Sequence, residues 1–448
     1  MPYRDKVKSL AQDYLQDQES INAIKPPSAD MKEKSQGFAD RIDAARGRPL
    51  FFHYIGSGRG HGPFVELQDG SVKLDLINGI GIHVLGHAHP LVVEKSIEAS
   101  LSDVVMQGNL QPGLEYLEMS EKLVEVASLG SNIKHAWLCQ SGSMANENGL
   151  KICRQKMNGA RMIISMNKAF AGRTQMMAEV TDNPAYRQGL PAYNEVLRIP
   201  FYDKDNPNST QESLEALKKH IDEHRGDIGC FLFEPMQGEG GYKTAPRDFF
   251  VPLLEECKKE GIPIFLDEVQ TFCRTTEFFA YQTLCLGEYV DVVSAAKSLQ
   301  NAATLYTSEF NPKPGLISGT FSGSTVALKT GAAILEFLKS EGYMGYEGKV
   351  AQTHKKFVGM LNDLSKTTCK GLISDAGGMG LMVAFTPFDG GKDHMLKAVK
   401  KLFDNGLMCF GCGSDPFRIR FLLPAIIDDS HIELTRSILE KTFLELKE

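Results

Sequence analysis

Between about residues 90 and 330 the chain alternates short apolar runs with helix-length amphipathic segments. The runs are residues 136–139, 161–165, 196–199, 230–234, 264–267 and 292–295, each bounded by Gly, Pro or polar residues. A strand that is apolar along its whole length, and not only at every second position, has to be covered on both faces. Alternation with helices therefore predicts an α/β fold: a mostly parallel sheet with helices on either side. In such sheets functional groups gather just beyond the carboxyl ends of the strands. Ser141-Gly142-Ser143, Glu234, Asp267 and Lys297 all fall at such ends.

The flanks read differently. Residues 4–18 carry Val7, Leu10, Ala11, Tyr14 and Leu15 at helical spacing, which predicts an amphipathic helix. The polar stretch 25–37 reads as a connector. Strand-like runs follow at 51–54, 64–67 and 72–76, with Asp69-Gly70 as a hairpin turn between the last two. Residues from about 335 onward read as a second α/β unit, with strands near 380–385, 407–410 and 418–422 and a final helix from about Asp429. The expected organisation is an N-terminal segment (1–85) joining the small domain, a large domain (86–332) and a C-terminal small domain (333–448).

Composition narrows the classes of function. A net charge of −7 and the lack of any basic block argue against a nucleic-acid or anionic-membrane partner. No apolar stretch approaches the ~18 residues that a membrane helix needs, and the charged N-terminus lacks an apolar signal region. The expectation is a cytoplasmic protein. Nine cysteines, an odd count, read as reduced thiols, and Cys409-x-x-Cys412 reads as two small residues flanking a turn. His83, His87 and His89 lie in a turn-like Gly86-His87-Ala88-His89-Pro90 segment and are read as structural, so no metal is expected. The spaced glycines Gly56, Gly58, Gly60 and Gly62 have no helix after them and are not read as a nucleotide loop.

Asp267 ends one apolar strand, and Lys297 follows the next. An amine and an anion placed in this way suit a pyridine cofactor bearing an aldehyde. The amine captures the aldehyde, and the anion keeps the ring nitrogen protonated so that the ring can accept an electron pair. Each residue alone has an ordinary reading, Asp as a helix cap and Lys as a solvated loop cation.

The motifs around this pair make the pattern specific. They run in order: Leu74-Asp75-Leu76, Gly79-Ile80-Gly81 and Leu85-Gly86-His87-Ala88-His89-Pro90; Ser141-Gly142-Ser143 before Ala145-Asn146-Glu147; Phe170-Ala171-Gly172-Arg173-Thr174; Glu234-Pro235-Met236-Gln237-Gly238-Glu239-Gly240-Gly241; Asp267-Glu268-Val269-Gln270-Thr271; Ala296-Lys297; Gly319-Thr320-Phe321; and Ile419-Arg420-Phe421 before Pro424. From about Val65 onward the chain resembles the class III (subgroup II) pyridoxal-phosphate-dependent aminotransferases, the family of ornithine, acetylornithine, 4-aminobutyrate and lysine ω-aminotransferases.

The resemblance implies the fold type I architecture, with a mostly parallel seven-stranded sheet and pyridoxal 5'-phosphate as cofactor. It implies Lys297 as Schiff-base lysine and proton shuttle, Asp267 as partner of the ring nitrogen, Gln270 near the ring hydroxyl and Phe170 stacked on the ring. Gly142 and Ser143 would hold the phosphate, with Thr320 donating to it across a dimer interface. Arg173 would bind a substrate carboxylate, and Glu239 and Arg420 would form an ion pair that opens for an α-carboxylate. The implied reaction is ping-pong transfer from an amine donor to 2-oxoglutarate, giving glutamate, in a homodimer or a dimer of dimers. An aminomutase or decarboxylase of the same fold, or a non-catalytic relative, remains open at this point. The chain departs from the family pattern at Ala171, Met144, Ser298-Leu299-Gln300-Asn301 and Ser322-Gly323-Ser324. None of these removes a reacting group, but all lie in loops that shape the substrate pocket.

Overall fold

The structure, a computed structural model, describes residues 3–193 and 195–447. It divides into two compact units, one of residues up to Glu98 together with those from Gln352 onward, the other of Ala99–Ala351. These limits fall later in the chain than 85/86 and 332/333.

The Ala99–Ala351 unit is built on seven strands: β1 (Ile133–Cys139), β2 (Met162–Met166), β3 (Val196–Ile199), β4 (Ile228–Phe233), β5 (Ile264–Asp267), β6 (Val292–Ala295) and β7 (Ala302–Thr307). Their order across the sheet is β1-β7-β6-β5-β4-β2-β3. Only β7 runs against the rest, pairing antiparallel with β6 and β1, while β2 to β6 pair in parallel. Every residue of β2, β4, β5 and β6 is buried, as expected of strands covered on both faces. The six expected strands are present. β7, Ala-Ala-Thr-Leu-Tyr-Thr, was not anticipated, because it returns after a single 3-10 turn, Lys297–Leu299, without an intervening α-helix.

The other unit carries two four-stranded sheets. In the first, Gly56–His61, Phe64–Leu67 and Val72–Asp75 run antiparallel, and Leu407–Met408 joins Val72–Asp75 in parallel. The hairpin turn lies at Asp69-Gly70 as expected, closed by the Gly70 N–H donating to the Leu67 carbonyl at 2.9 Å. In the second sheet Ile373–Met379, Met382–Pro387, Arg418–Leu422 and Phe410–Cys412 are antiparallel neighbours.

Several local expectations are corrected. Residues 25–37 are not a plain connector, because a helix, Ala29–Arg46, begins within them. Residues 51–54 form no strand; Phe51 and Phe52 instead pack their rings on Phe410 and Phe403, with centroids 5.0 and 4.7 Å apart. The run 407–410 divides at Cys409 between the two sheets. Cys409 and Cys412 are both buried free thiols; Cys409 precedes the short strand Phe410–Cys412 and Cys412 ends it, so they do not flank a turn. His87, read as part of a turn, instead pairs its backbone with Gly62 in an isolated antiparallel bridge, its Nε2 2.9 Å from the Asp75 carboxylate. Among the described residues no helix is long and apolar enough to cross a membrane.

Candidate active site

Helix α1 (Gly142–Lys156) starts where β1 ends. Ser141 is extended, and its hydroxyl accepts a hydrogen bond from Met144 N at 3.3 Å, which caps the helix. Gly142 and Ser143 thus stand in the first turn, whose N–H groups have no partner within the helix and attract anions. Position 142 has no room for a side chain. A Cβ there would lie 2.6 and 2.8 Å from the two methyl groups of Val269, on the loop that leaves β5.

The loop from Phe170 to Arg173 is pinned from several sides. Phe170 N donates to Glu234 Oε2 at 2.9 Å, and Ala171 N donates to Thr181 Oγ1 at 3.0 Å. Arg173 N donates to Ser143 Oγ at 3.3 Å. Between them Gly172 has φ +136°, and a Cβ on it would meet Ser143 Oγ at 2.3 Å, so both conformation and space call for glycine. The exposed Arg173 guanidinium lies 3.4 Å from the ring centroid of Tyr186, which meets Phe170 edge-on at 6.2 Å. Tyr186 lies outside the motifs and had no sequence signal beyond being aromatic.

Asp267 closes β5 and is buried. Its Oδ2 accepts from Asn146 Nδ2 at 2.6 Å; its Oδ1 accepts from Val269 N at 3.0 Å and from Ser294 Oγ at 3.4 Å. Burial pushes its pKa up to about 6, against the Val269 and Asn146 donors, the charge of Lys297 and the Ser294 hydroxyl, all of which favour the carboxylate. Glu234, at the end of β4, is also buried and is pushed up to about 8, by burial first and then by the charge of Asp267. Its two oxygens accept from Phe170 N and Gly238 N, both at 2.9 Å. One buried region therefore holds two acids that resist ionising together, an environment that favours a cation between them.

Lys297 follows β6 at φ +52°, a left-handed conformation that is strained for a residue with a Cβ. Gln270 has its Oε1 buried with no hydrogen-bond partner.

The structure thus links Gly142, Ser143, Phe170, Arg173, Glu234 and Asp267 through contacts, with Lys297 acting on Asp267 through its charge. Glu239 acts on Glu234 in the same way. Thr320 is exposed, on a segment tied to residues 105–109 by Gly319 N to Asn109 Oδ1 (3.1 Å) and Ser322 N to Gln107 O (2.7 Å). Arg420 belongs to the other unit, buried in the strand Arg418–Leu422, 5.8 Å from the Phe410 ring centroid. Asn146 has a direct place here that its motif did not reveal.

These groups fit pyridoxal phosphate. A helix start suits its phosphate, Asp267 its ring nitrogen, the orphaned Gln270 oxygen its ring hydroxyl, and Lys297 its aldehyde.

Comparison with known proteins agrees. Residues 45–443 match the family model Aminotransferase class-III. The chain is 30% identical over 401 residues to an acetylornithine aminotransferase of Methanocaldococcus jannaschii, covering 87% of this chain and 93% of that one. It is 29% identical over 436 residues to a 5-aminovalerate aminotransferase of Pseudomonas aeruginosa, covering 93% and 100%. Its fold matches a lysine aminotransferase of M. tuberculosis at a TM-score of 0.82 and 21% identity, over 91% of this chain and 99% of that one. The architecture is that of fold type I, and the chain belongs to the class III aminotransferases, enzymes that work with pyridoxal phosphate.

Proposed function

We propose that this aminotransferase takes the amino group of an ω-amino acid or related amine, of the ornithine, acetylornithine, 4-aminobutyrate or lysine type, and passes it to 2-oxoglutarate in two half-reactions. Bound pyridoxal phosphate supplies an aldehyde that takes up the amino group and a ring that accepts the electron pair released at the substrate carbon. Lys297 holds that aldehyde at rest. The same amine, once free, would serve as the base and acid that takes and returns the proton at the substrate carbon. Asp267 would hold the ring nitrogen in its protonated form, with Gln270 offered to the ring hydroxyl and Phe170 to the ring face. Gly142 and Ser143 receive the phosphate.

The observation that carries this reading is the set of donors and charges gathered on buried Asp267. Burial alone would neutralise it, and Asn146, Val269, Ser294 and Lys297 all favour its anion. Arg173 is the anchor for the distal carboxylate of the substrate. Arg420 is the anchor for the α-carboxylate of glutamate, and Glu239 favours ω-amine donors over glutamate.

Thr320 completes the phosphate site of a second copy in a homodimer or dimer of dimers. Its segment is bonded to a stretch with a strongly exposed apolar surface: Leu110 is 91% exposed, Leu114 79% and Val105 76%. A surface of that kind suits burial against another chain. Sedimentation of an active monomer would refute the shared site.

The reaction itself is tested by mixing holoenzyme with a panel of amines, without acceptor, and following the visible absorption of the cofactor. Conversion by ω-amino acids, reversed by 2-oxoglutarate, is the expected result. Loss of carbon dioxide, or an amine shifted within the donor, would assign the chain to the decarboxylases or aminomutases instead.

A further inference from the structure

We propose that Asn146 is a positioning residue: its single side-chain amide aims the Asp267 carboxylate at the cofactor and ties it to the loop bearing Phe170. The proposal rests on the reading of Asp267 as partner of the ring nitrogen.

Asn146 is the fifth residue of α1 and is 1% exposed. Its Nδ2 donates to Asp267 Oδ2 at 2.6 Å and to the Ala171 carbonyl at 2.7 Å. A carboxylate and a carbonyl only accept, so they fix which way the amide faces; turned over, Oδ1 would confront two oxygens. In this orientation Oδ1 is buried with no partner. That orphan carries a desolvation cost, which the two donated bonds have to offset. One NH2 group therefore joins the carboxylate at the end of β5 to the 170–173 loop, and displacement of either reaches the other.

The groups facing Asp267 are divided. Lys297, past β6, favours the carboxylate, whereas Glu234, at the end of β4, and the adjacent Glu268 oppose it. Val269 N and Ser294 Oγ serve Oδ1, and Asn146 serves Oδ2. Without Asn146 the carboxylate becomes more basic and draws to itself the proton it shares with the ring nitrogen.

The test reconstitutes the full chain with pyridoxal phosphate isotopically labelled at the ring nitrogen and follows that nucleus by NMR against pH. In Asn146→Ala the ratio of protonated to unprotonated ring nitrogen, on the plateau where the pair holds one proton, falls about ten-fold, the change in an ionisation constant expected from one lost hydrogen bond to a charged group. Asn146→Ser keeps one donor for two acceptors and shifts it in the same direction by less, which covers the case of Asn146→Ala failing to fold. Asp267→Ala, measured beside them, separates the two ideas. If Asp267→Ala lowers the protonated share of the ring nitrogen and the folded Asn146 variants do not, Asn146 has no positioning role. If Asp267→Ala leaves it unmoved, the reading of Asp267 falls and this proposal with it.

Discussion

Gly142→Ala is the most direct probe of how the site is assembled. Alanine favours a helix over glycine by up to about 1 kcal/mol, so on propensity alone the substitution should help. The structure reverses the sign. The new Cβ would stand 2.6 and 2.8 Å from the Val269 methyls and 3.3 Å from its Cβ. The shortest of these is about 1 Å inside the 3.5–4.0 Å optimum for carbon pairs. Valine is stiff about χ1, so relief has to come from the backbone of the loop after β5 or from the start of α1. Overpacking of this kind costs about 1–3 kcal/mol, leaving a net loss of up to about 2 kcal/mol after the helix gain. The same movement disturbs the Val269 N–H that holds Asp267 Oδ1 and the amides offered to the phosphate. Cofactor affinity should therefore fall roughly ten-fold or more, about 1.4 kcal/mol. Thermal melting of the cofactor-free chain and fluorescence titration with pyridoxal phosphate measure the two effects. The double variant Gly142→Ala/Val269→Ala removes the collision and should recover most of the lost affinity. If the single variant binds cofactor like the wild type, or if the double variant is as weak as the single, the close approach is not what sets this corner.

Lys297→Ala should fold and bind the cofactor non-covalently while losing turnover by several orders of magnitude; borohydride reduction and peptide mapping of the wild type should label Lys297 and no other lysine. Glu239→Ala should leave the glutamate half-reaction intact and weaken discrimination for ω-amine donors, whereas Arg420→Ala should damage mainly the glutamate half-reaction; equal losses in single-turnover kinetics would make both residues structural. The cofactor-free chain should lose stability as pH rises. Burial pushes Asp267, Glu268 and Glu234 up to about 6, 7 and 8, so the folded chain keeps protons that the unfolded chain releases. Their stabilisation is complete below the ordinary carboxylate range and is lost from there up to about pH 6, 7 and 8 respectively, at up to about 1.4 kcal/mol per unit for each group over that span. Urea denaturation showing stability that increases from acid to pH 8 would contradict this, and Glu268→Gln should flatten the slope.

Six of the seven strands of the central sheet were legible because full burial forces continuous apolar runs, and they lie where those runs are; β7 escaped because it returns on a short turn. Lys297, Asp267 and Gly142 were legible for a related reason: chemistry gathers at strand ends, and strand ends are marked by the stop of an apolar run. What escaped has equally physical causes. The helix Ala29–Arg46 is polar over most of its surface, with only Ser35 and Ala39 buried, so it has little periodicity to read. Its limits lie in Pro26-Pro27-Ser28 and in the left-handed Gly47, signals easily taken for a linker. Phe51 and Phe52 have the composition of a strand, but their partners are rings distant in sequence. Asn146 looked like any polar helix residue until Asp267 and the Ala171 carbonyl converged on it, across 121 and 25 residues of chain.

The departures from the family pattern become intelligible in the same terms. Where a glycine run usually follows the lysine, this chain has Ser298-Leu299-Gln300-Asn301, yet the backbone still turns left-handed, at Lys297 (φ +52°) and at Gln300 (φ +62°). The turn is imposed by what surrounds it, since Ser298 and Leu299 are buried beside it, and the strain that glycine would have relieved is retained. Asn301 then donates to the Ser322 carbonyl at 2.8 Å, and a Cβ on Gly323 would lie 3.0 Å from its amide nitrogen. The two altered loops, 298–301 and 322–324, are therefore a single packed feature. A glycine at 301 would remove the donor from Ser322 and loosen the segment that carries Thr320, so a change in one loop is felt in the other, beside an unchanged set of reacting groups.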